Sequence, residues 1–127
     1  MSGKNHGFDA QAIAWGKQCL AAAIDELAKQ GVIDTALVEA RISWMLPQQL
    51  LIAELRETST SPPALWVIAG DGLVDNVDVA LAETPRDAAR HFGMKWQLAV
   101  EREGGNPELE ARAELLLGLA QVDNAWT

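Results

Sequence analysis

The fold is decided by a short apolar stretch in the middle of the chain, Ala64-Leu65-Trp66-Val67-Ile68-Ala69. It lies between the loop-forming residues 58–63 and the turn Gly70-Asp71-Gly72. A strand that is apolar on both faces is usually central in its sheet and covered on both sides. This stretch therefore predicts a central strand with other elements packed above and below it.

Weaker strand patterns flank this central stretch. Residues 50–57 predict a strand with an imperfect alternation of apolar and polar side chains. After a turn at Asp75-Asn76, residues 77–82 alternate more regularly and predict a third, half-exposed strand. Because the connections between the three strands are short, they favour an antiparallel meander over parallel crossovers.

Helical periodicity precedes the strands. Apolar residues recur at spacings of three and four from about Asp9 to Gln30, with Asp9 placed as the N-cap and Gly31 as the closing residue. Residues 35–45 predict a shorter second helix that ends before Pro47. The apolar residues of this second segment mix helical and alternating spacings, so the sequence leaves its type open.

Helical signals also follow the strands. Thr84-Pro85 combines a capping side chain with a proline suited to the first helical position, and Asn106-Pro107 repeats this start signal. Gly104-Gly105 lies between the two helices and is typical of a helix end. These signals predict two C-terminal helices.

The predicted order of elements is α-α-β-β-β-α-α, which indicates an α+β fold with a small antiparallel sheet of about three strands covered by N-terminal and C-terminal helices. The 127 residues suit a single domain over 1–127. We expect residues 1–8 to form a mobile N-terminal tail and 123–127 a C-terminal tail, with Trp126 folded back onto the body.

The overall charge argues against two classes of partner. Ten basic and eighteen acidic side chains give a net charge of −8, which repels nucleic acid phosphates and anionic lipids. No apolar run approaches the roughly 20 residues of a membrane span. The N-terminus has no signal-peptide pattern, and Cys19 is the only cysteine and is expected to be buried. We therefore expect a cytoplasmic protein that binds neither nucleic acid nor membranes.

Several segments resemble a known family. They are WVIAGD at 66–71, TPRDAA at 84–89 followed by KWQ at 95–97, and ARAELL at 111–116. With them the chain is similar to an uncharacterised family of small bacterial proteins, a domain of unknown function. The resemblance covers most of the chain and implies a bacterial source. It implies no activity, cofactor or catalytic residue.

Motifs for catalysis, metal binding and nucleotide binding are missing from the sequence. His6 and His91 are the only histidines, and there is no cysteine cluster or calcium-loop pattern. No serine lies in a nucleophile elbow, and no glycine-rich phosphate loop opens a helix. We therefore predict no catalytic residues, metal ligands or cofactor, and favour a protein without enzymatic activity.

A small anionic ligand could bind near the start of the third predicted helix. Arg86 and Arg90 lie one turn apart there, His91 follows, and Asp71 belongs to the glycine-containing turn after the central strand. The alternative is structural, with the arginines paired to Asp87 or other nearby carboxylates. His91 likewise lies four residues from Asp87, as in an ordinary surface pair.

The five tryptophans are many for a chain of this length that has no tyrosine. Core packing is the expected role for each, but Trp44 and Trp126 have irregular flanks and are the candidate interface anchors.

Two functional hypotheses follow. The first is a non-catalytic bacterial interaction protein that binds a protein partner through an acidic surface. The alternative is a small-molecule binding module, conceivably an enzyme, that uses Arg86, Arg90 and His91 with the loop 70–78. The sequence leaves homo-oligomerisation open.

Overall fold

A computed structural model gives the fold and describes residues 9–33, 39–58, 60–70 and 72–126. Its elements are helix α1 (Ala10–Lys29), strands β1 (Glu39–Leu46), β2 (Leu50–Arg56), β3 (Leu65–Gly70) and β4 (Leu73–Asp78), and helices α2 (Pro85–Glu103) and α3 (Pro107–Ala120). Single 3-10 turns at Val79–Leu81 and Asp123–Ala125 complete the description. The α+β class is confirmed.

The sheet is an antiparallel meander in the order β1-β2-β3-β4, so β2 and β3 are its central strands. One face of the sheet packs against α2 and α3, and the other packs against α1 alone. Ile52 and Ile68 lie on the α2–α3 face with Phe92, whereas Leu51 and Val67 lie on the α1 face. All five are fully buried. The predicted central strand is confirmed.

The second predicted helix, residues 35–45, is wrong where the structure describes it: residues 39–46 form the edge strand β1. A bulge at Ser43 is the physical reason. Ile42 pairs with Ala53 and packs on the α1 face, while Trp44 pairs with Ile52 and packs on the α2–α3 face. Because the bulge interrupts the two-residue alternation of the strand, the apolar residues of this segment have a partly helical spacing. Residues 34–38 lie outside the described residues.

The third predicted strand, residues 77–82, is displaced. Strand β4 spans Leu73–Asp78, and the predicted turn Asp75-Asn76 lies inside it. The connection from β3 is so short that pairing resumes at once, with Gly72 at φ +75° in the turn. The strand ends where the Asp78 carboxylate accepts a hydrogen bond from Ala80 N and begins a 3-10 turn. The sheet therefore has four strands instead of three.

The predicted helix ends are confirmed. The side-chain oxygens of Asp9, Thr84 and Asn106 each accept a hydrogen bond from the backbone N–H three residues later, at 2.8, 3.1 and 3.2 Å. Gly31 and Gly104 adopt left-handed conformations after α1 and α2. These local signals fix where the three helices begin and where α1 and α2 end.

The close approach of α2 and α3 depends on Gly93. A Cβ at this position would lie 2.7 Å from Leu117 Cγ on α3, whereas a Cβ at Gly118 would meet nothing within 4 Å. We expect Gly93→Ala to lower the free energy of unfolding by about 1–2 kcal/mol through overpacking. Gly118→Ala, the matched control, should raise it by about 0.5 kcal/mol through helix propensity. Urea unfolding measures both, and equal effects would contradict this helix contact.

Candidate functional site

The C-terminal residues fold back onto the bulged edge strand. The rings of Trp44 and Trp126 stack with centroids 4.5 Å apart. Trp44 Nε1 donates to Ala125 O at 2.8 Å, and Trp126 Nε1 donates to Leu119 O at 2.9 Å. Both indoles are half-buried and pack against the core of the α2–α3 face. The two predicted interface anchors therefore contact each other, and each indole N–H is satisfied within the chain.

Arg86 holds the same C-terminal residues from the other side. Its Nε donates to Ala120 O at 2.6 Å, and its Nη2 donates to Asp123 Oδ1 at 2.9 Å. We call Trp44, Arg86, Asp123 and Trp126 the C-terminal clasp. The clasp borders a recess of about 340 Å³ with Pro85 in its lining. The structure thus places Arg86, a predicted ligand residue, beside both predicted anchors.

The other predicted ligand residues do not join the clasp through any hydrogen bond that the structure gives. Arg90 Nη1 donates to Asp87 Oδ1 at 3.2 Å, which is the pairing that the sequence analysis kept as the structural alternative. His91 is exposed on α2 and borders a different surface, described below. Asp71 lies outside the described residues. The predicted set is therefore divided among separate places on the fold.

Arg86 and Arg90 make different contacts. A matched pair of substitutions can compare how much each arginine contributes to the free energy of unfolding. Arg86→Met removes a charged donor from the carbonyl of the buried Ala120, so we expect the free energy of unfolding to fall by about 1.5–2 kcal/mol. Arg90→Met removes only an exposed ion pair and should change it by less than about 0.5 kcal/mol. Denaturant unfolding compares them, and an equal loss would contradict the clasp.

A second feature of α2 is an exposed apolar surface. Met94 and Leu98 are 53% and 58% exposed, and Leu81 of the preceding 3-10 turn is 53% exposed. Together with the partly buried Val77 they line a groove of about 440 Å³. We call these four residues the α2 apolar patch. His91, Lys95 and Arg102 are the polar residues at its border.

The carboxylate of Asp75 lies beside this patch and is fully engaged. Its Oδ1 accepts from Lys95 Nζ at 2.7 Å, and its Oδ2 accepts from Trp96 Nε1 at 2.8 Å. These bonds fasten the edge strand β4 to α2. They also neutralise Lys95, so that Arg102 remains as a basic side chain at the border of the patch, with no ion pair among the described residues.

A third feature is a groove between α1 and the β3–β4 hairpin, of about 780 Å³. We call it the α1 groove; its lining includes Trp15, Gln18, Cys19, Glu26 and Gln30 from the helix, and Gly72, Leu73 and Val74 from the hairpin. This groove was not predicted from the sequence. The signal available was the spacing of Trp15, Cys19, Ala22 and Glu26 along one helix face. Cys19 itself is partly buried and packs against the core of the α1 face, so the expectation of burial is confirmed in part.

Among the described residues, no group of three or more histidine, cysteine, aspartate or glutamate side chains could hold a metal ion. Nor is any helix in the described part of the chain long and apolar enough to cross a membrane. Fold and surfaces together define a small α+β protein whose described residues line several surface recesses.

The chain belongs to an uncharacterised family. The family model described as "Domain of unknown function (DUF4826)" matches residues 9–126, nearly the whole chain. Searches of curated proteins and of solved structures gave no match. The resemblance to a domain of unknown function, seen in the sequence, is confirmed, and the family assigns no role to any residue.

Proposed function

We propose that this protein is a non-catalytic binding protein of the bacterial cytoplasm, and that it engages a protein partner through the α2 apolar patch and the carboxylates around it. The observation that carries the proposal is the exposure of Met94 and Leu98, each more than half open to solvent and one helical turn apart. Isolated exposed apolar residues are ordinary, but a contiguous patch with a polar border is typical of an interaction site.

The charges around the patch favour a basic partner. Lys95 and Arg90 are paired with Asp75 and Asp87, so they contribute little net positive charge, whereas Arg102 also lines the groove and has no ion pair among the described residues. Glu101 lies three residues after Leu98 on the same helix and is exposed. With a net charge of −8 for the chain, a positively charged surface would be attracted from a distance.

The acidic surface extends beyond the patch over the connection between α2 and α3. Its carboxylates are exposed side chains at the end of one helix and along the next: Glu101, Glu103, Glu108, Glu110 and Glu114. The two arginines in this region are Arg102 and Arg112, and Arg112 is paired with Glu108. A partner helix with an apolar face and basic flanks would match both the groove and this border.

The test compares two double variants that remove similar apolar side chains. Met94→Gln with Leu98→Gln alters the patch. Ile13→Gln with Val32→Gln, at positions 46% and 40% exposed in and just after α1, is the matched control. A partner captured by the wild type from lysate would be purified and its affinity measured by calorimetry. We expect at least about a tenfold loss for the patch variant, as for interface hot spots, and no change for the control.

The same measurement at two salt concentrations tests the charge argument. Binding should weaken as salt is raised, because exposed opposite charges are screened. Equal affinity for the wild type and the patch variant would overturn the proposed surface. Self-association lost in the patch variant, detected by sedimentation velocity without any partner, would show that the patch is occupied by a second copy instead.

The alternative, an anionic small molecule at Arg86, Arg90 and His91, has one supporting observation: Arg86 borders the recess beside Trp44 and Trp126. An anion there would have to displace Asp123 from Arg86. Thermal stabilisation by inorganic phosphate, lost in Arg86→Ala with Arg90→Ala, would favour this function over a protein partner.

A further inference from the structure

The α1 groove exists because a single helix covers one face of a four-stranded sheet. Two helices, α2 and α3, cover the opposite face. Along its edge towards the β3–β4 hairpin α1 carries the small residue Ala22, and the hairpin contributes Gly72, so neither side fills the space between them. The groove is therefore a consequence of the layer architecture and of small side chains at its walls.

The lining of the groove carries one kind of charge. Among the described lining residues, Glu26 is the only ionisable side chain besides the thiol of Cys19, and none is a lysine or an arginine. Gln30 Nε2 donates to Glu26 Oε2 at 2.9 Å, which holds the carboxylate on this face of the helix. An anion in the groove would meet a carboxylate and no cation, whereas a cation would find a partner.

Trp15 gives the groove an aromatic wall. The indoles of Trp44, Trp66, Trp96 and Trp126 donate their N–H groups to oxygen acceptors of the chain. In the part of the chain that the structure describes, Trp15 has no such acceptor. It is partly buried on the same face as Val74, which also lines the groove. An indole face attracts organic cations as well as apolar groups.

We propose that the α1 groove binds a small organic cation, in which a primary ammonium group is attached to an apolar or aromatic body. The ammonium group pairs with the Glu26 carboxylate, and the body packs against Trp15 and Val74. The negative charge of the chain raises the local concentration of such a ligand. This site lies on the α1 face of the sheet and is independent of the proposed protein-binding surface.

The experiment uses the full chain labelled with ¹⁵N at tryptophan, which gives one indole N–H signal per tryptophan in a proton–nitrogen correlation spectrum. The Trp15 signal is assigned with Trp15→Phe. The probe is 2-phenylethylammonium, with 3-phenylpropanoate and 2-phenylethanol as anionic and neutral probes of similar shape. We expect the cation to shift the Trp15 signal saturably while the Trp66 signal stays in place, and the two control probes to bind several-fold more weakly.

A matched pair of variants then tests the carboxylate. Glu26→Gln keeps the shape of the side chain and should weaken the cation about fivefold, the upper range for a partly exposed ion pair. Asp25→Asn removes the same charge from an exposed neighbour outside the groove lining and should change the affinity less than twofold. An unmoved Trp15 signal, equal binding of 3-phenylpropanoate, or equal effects of the two variants would each overturn the proposal.

Discussion

The structure depends on the burial of both faces of the β2–β3 pair. Leu51, Ile52, Val67 and Ile68 are fully buried, two on each side of the sheet. Each such side chain contributes about 1.5–3 kcal/mol when it leaves water, so neither face is stable uncovered. This constraint requires α1 on one face and the α2–α3 pair on the other. The α+β class and the three layers follow from it.

One helix covers one face of the sheet and two helices cover the other, and this difference determines where the surface recesses lie. One helix leaves part of the α1 face open, and the α1 groove forms there. On the other face two helices meet closely at Gly93, which turns Met94 and Leu98 of α2 outwards. The bulge at Ser43 brings Trp44 to the α2–α3 face, where Trp126 stacks on it. The α1 groove, the groove at the α2 apolar patch and the recess at the clasp thus arise where the layers end.

Features set by neighbouring residues could be predicted from the sequence. The caps at Asp9, Thr84 and Asn106 depend on contacts three residues away, and the central strand is marked by its own unbroken apolar run. Strand β1 could not be distinguished from a helix, because its strand character comes from pairing with β2 across a bulge. Asp75 resembled a turn residue because its partners, Lys95 and Trp96, are 20 and 21 residues away.

The candidate sites were less predictable than the fold because their side chains meet residues that are distant in the sequence. Trp44 and Trp126 were chosen for their irregular flanks, but their stacking joins the edge strand β1 to the C-terminal residues. The pairing of Arg86 with Asp123 spans 37 residues. The α1 groove depends on how a helix lies over a sheet, which no local spacing of residues specifies.

Native-state hydrogen exchange in increasing urea tests the central constraint most directly. If both helix layers depend on β2 and β3, the amides of Ile52 and Val67 should exchange only through global unfolding, with the free energy and urea dependence of the whole molecule. Amides of the edge strand β1 and of the C-terminal clasp should exchange through smaller openings. Exchange of Ile52 and Val67 through a local opening, at a free energy below that of global unfolding, would contradict the account.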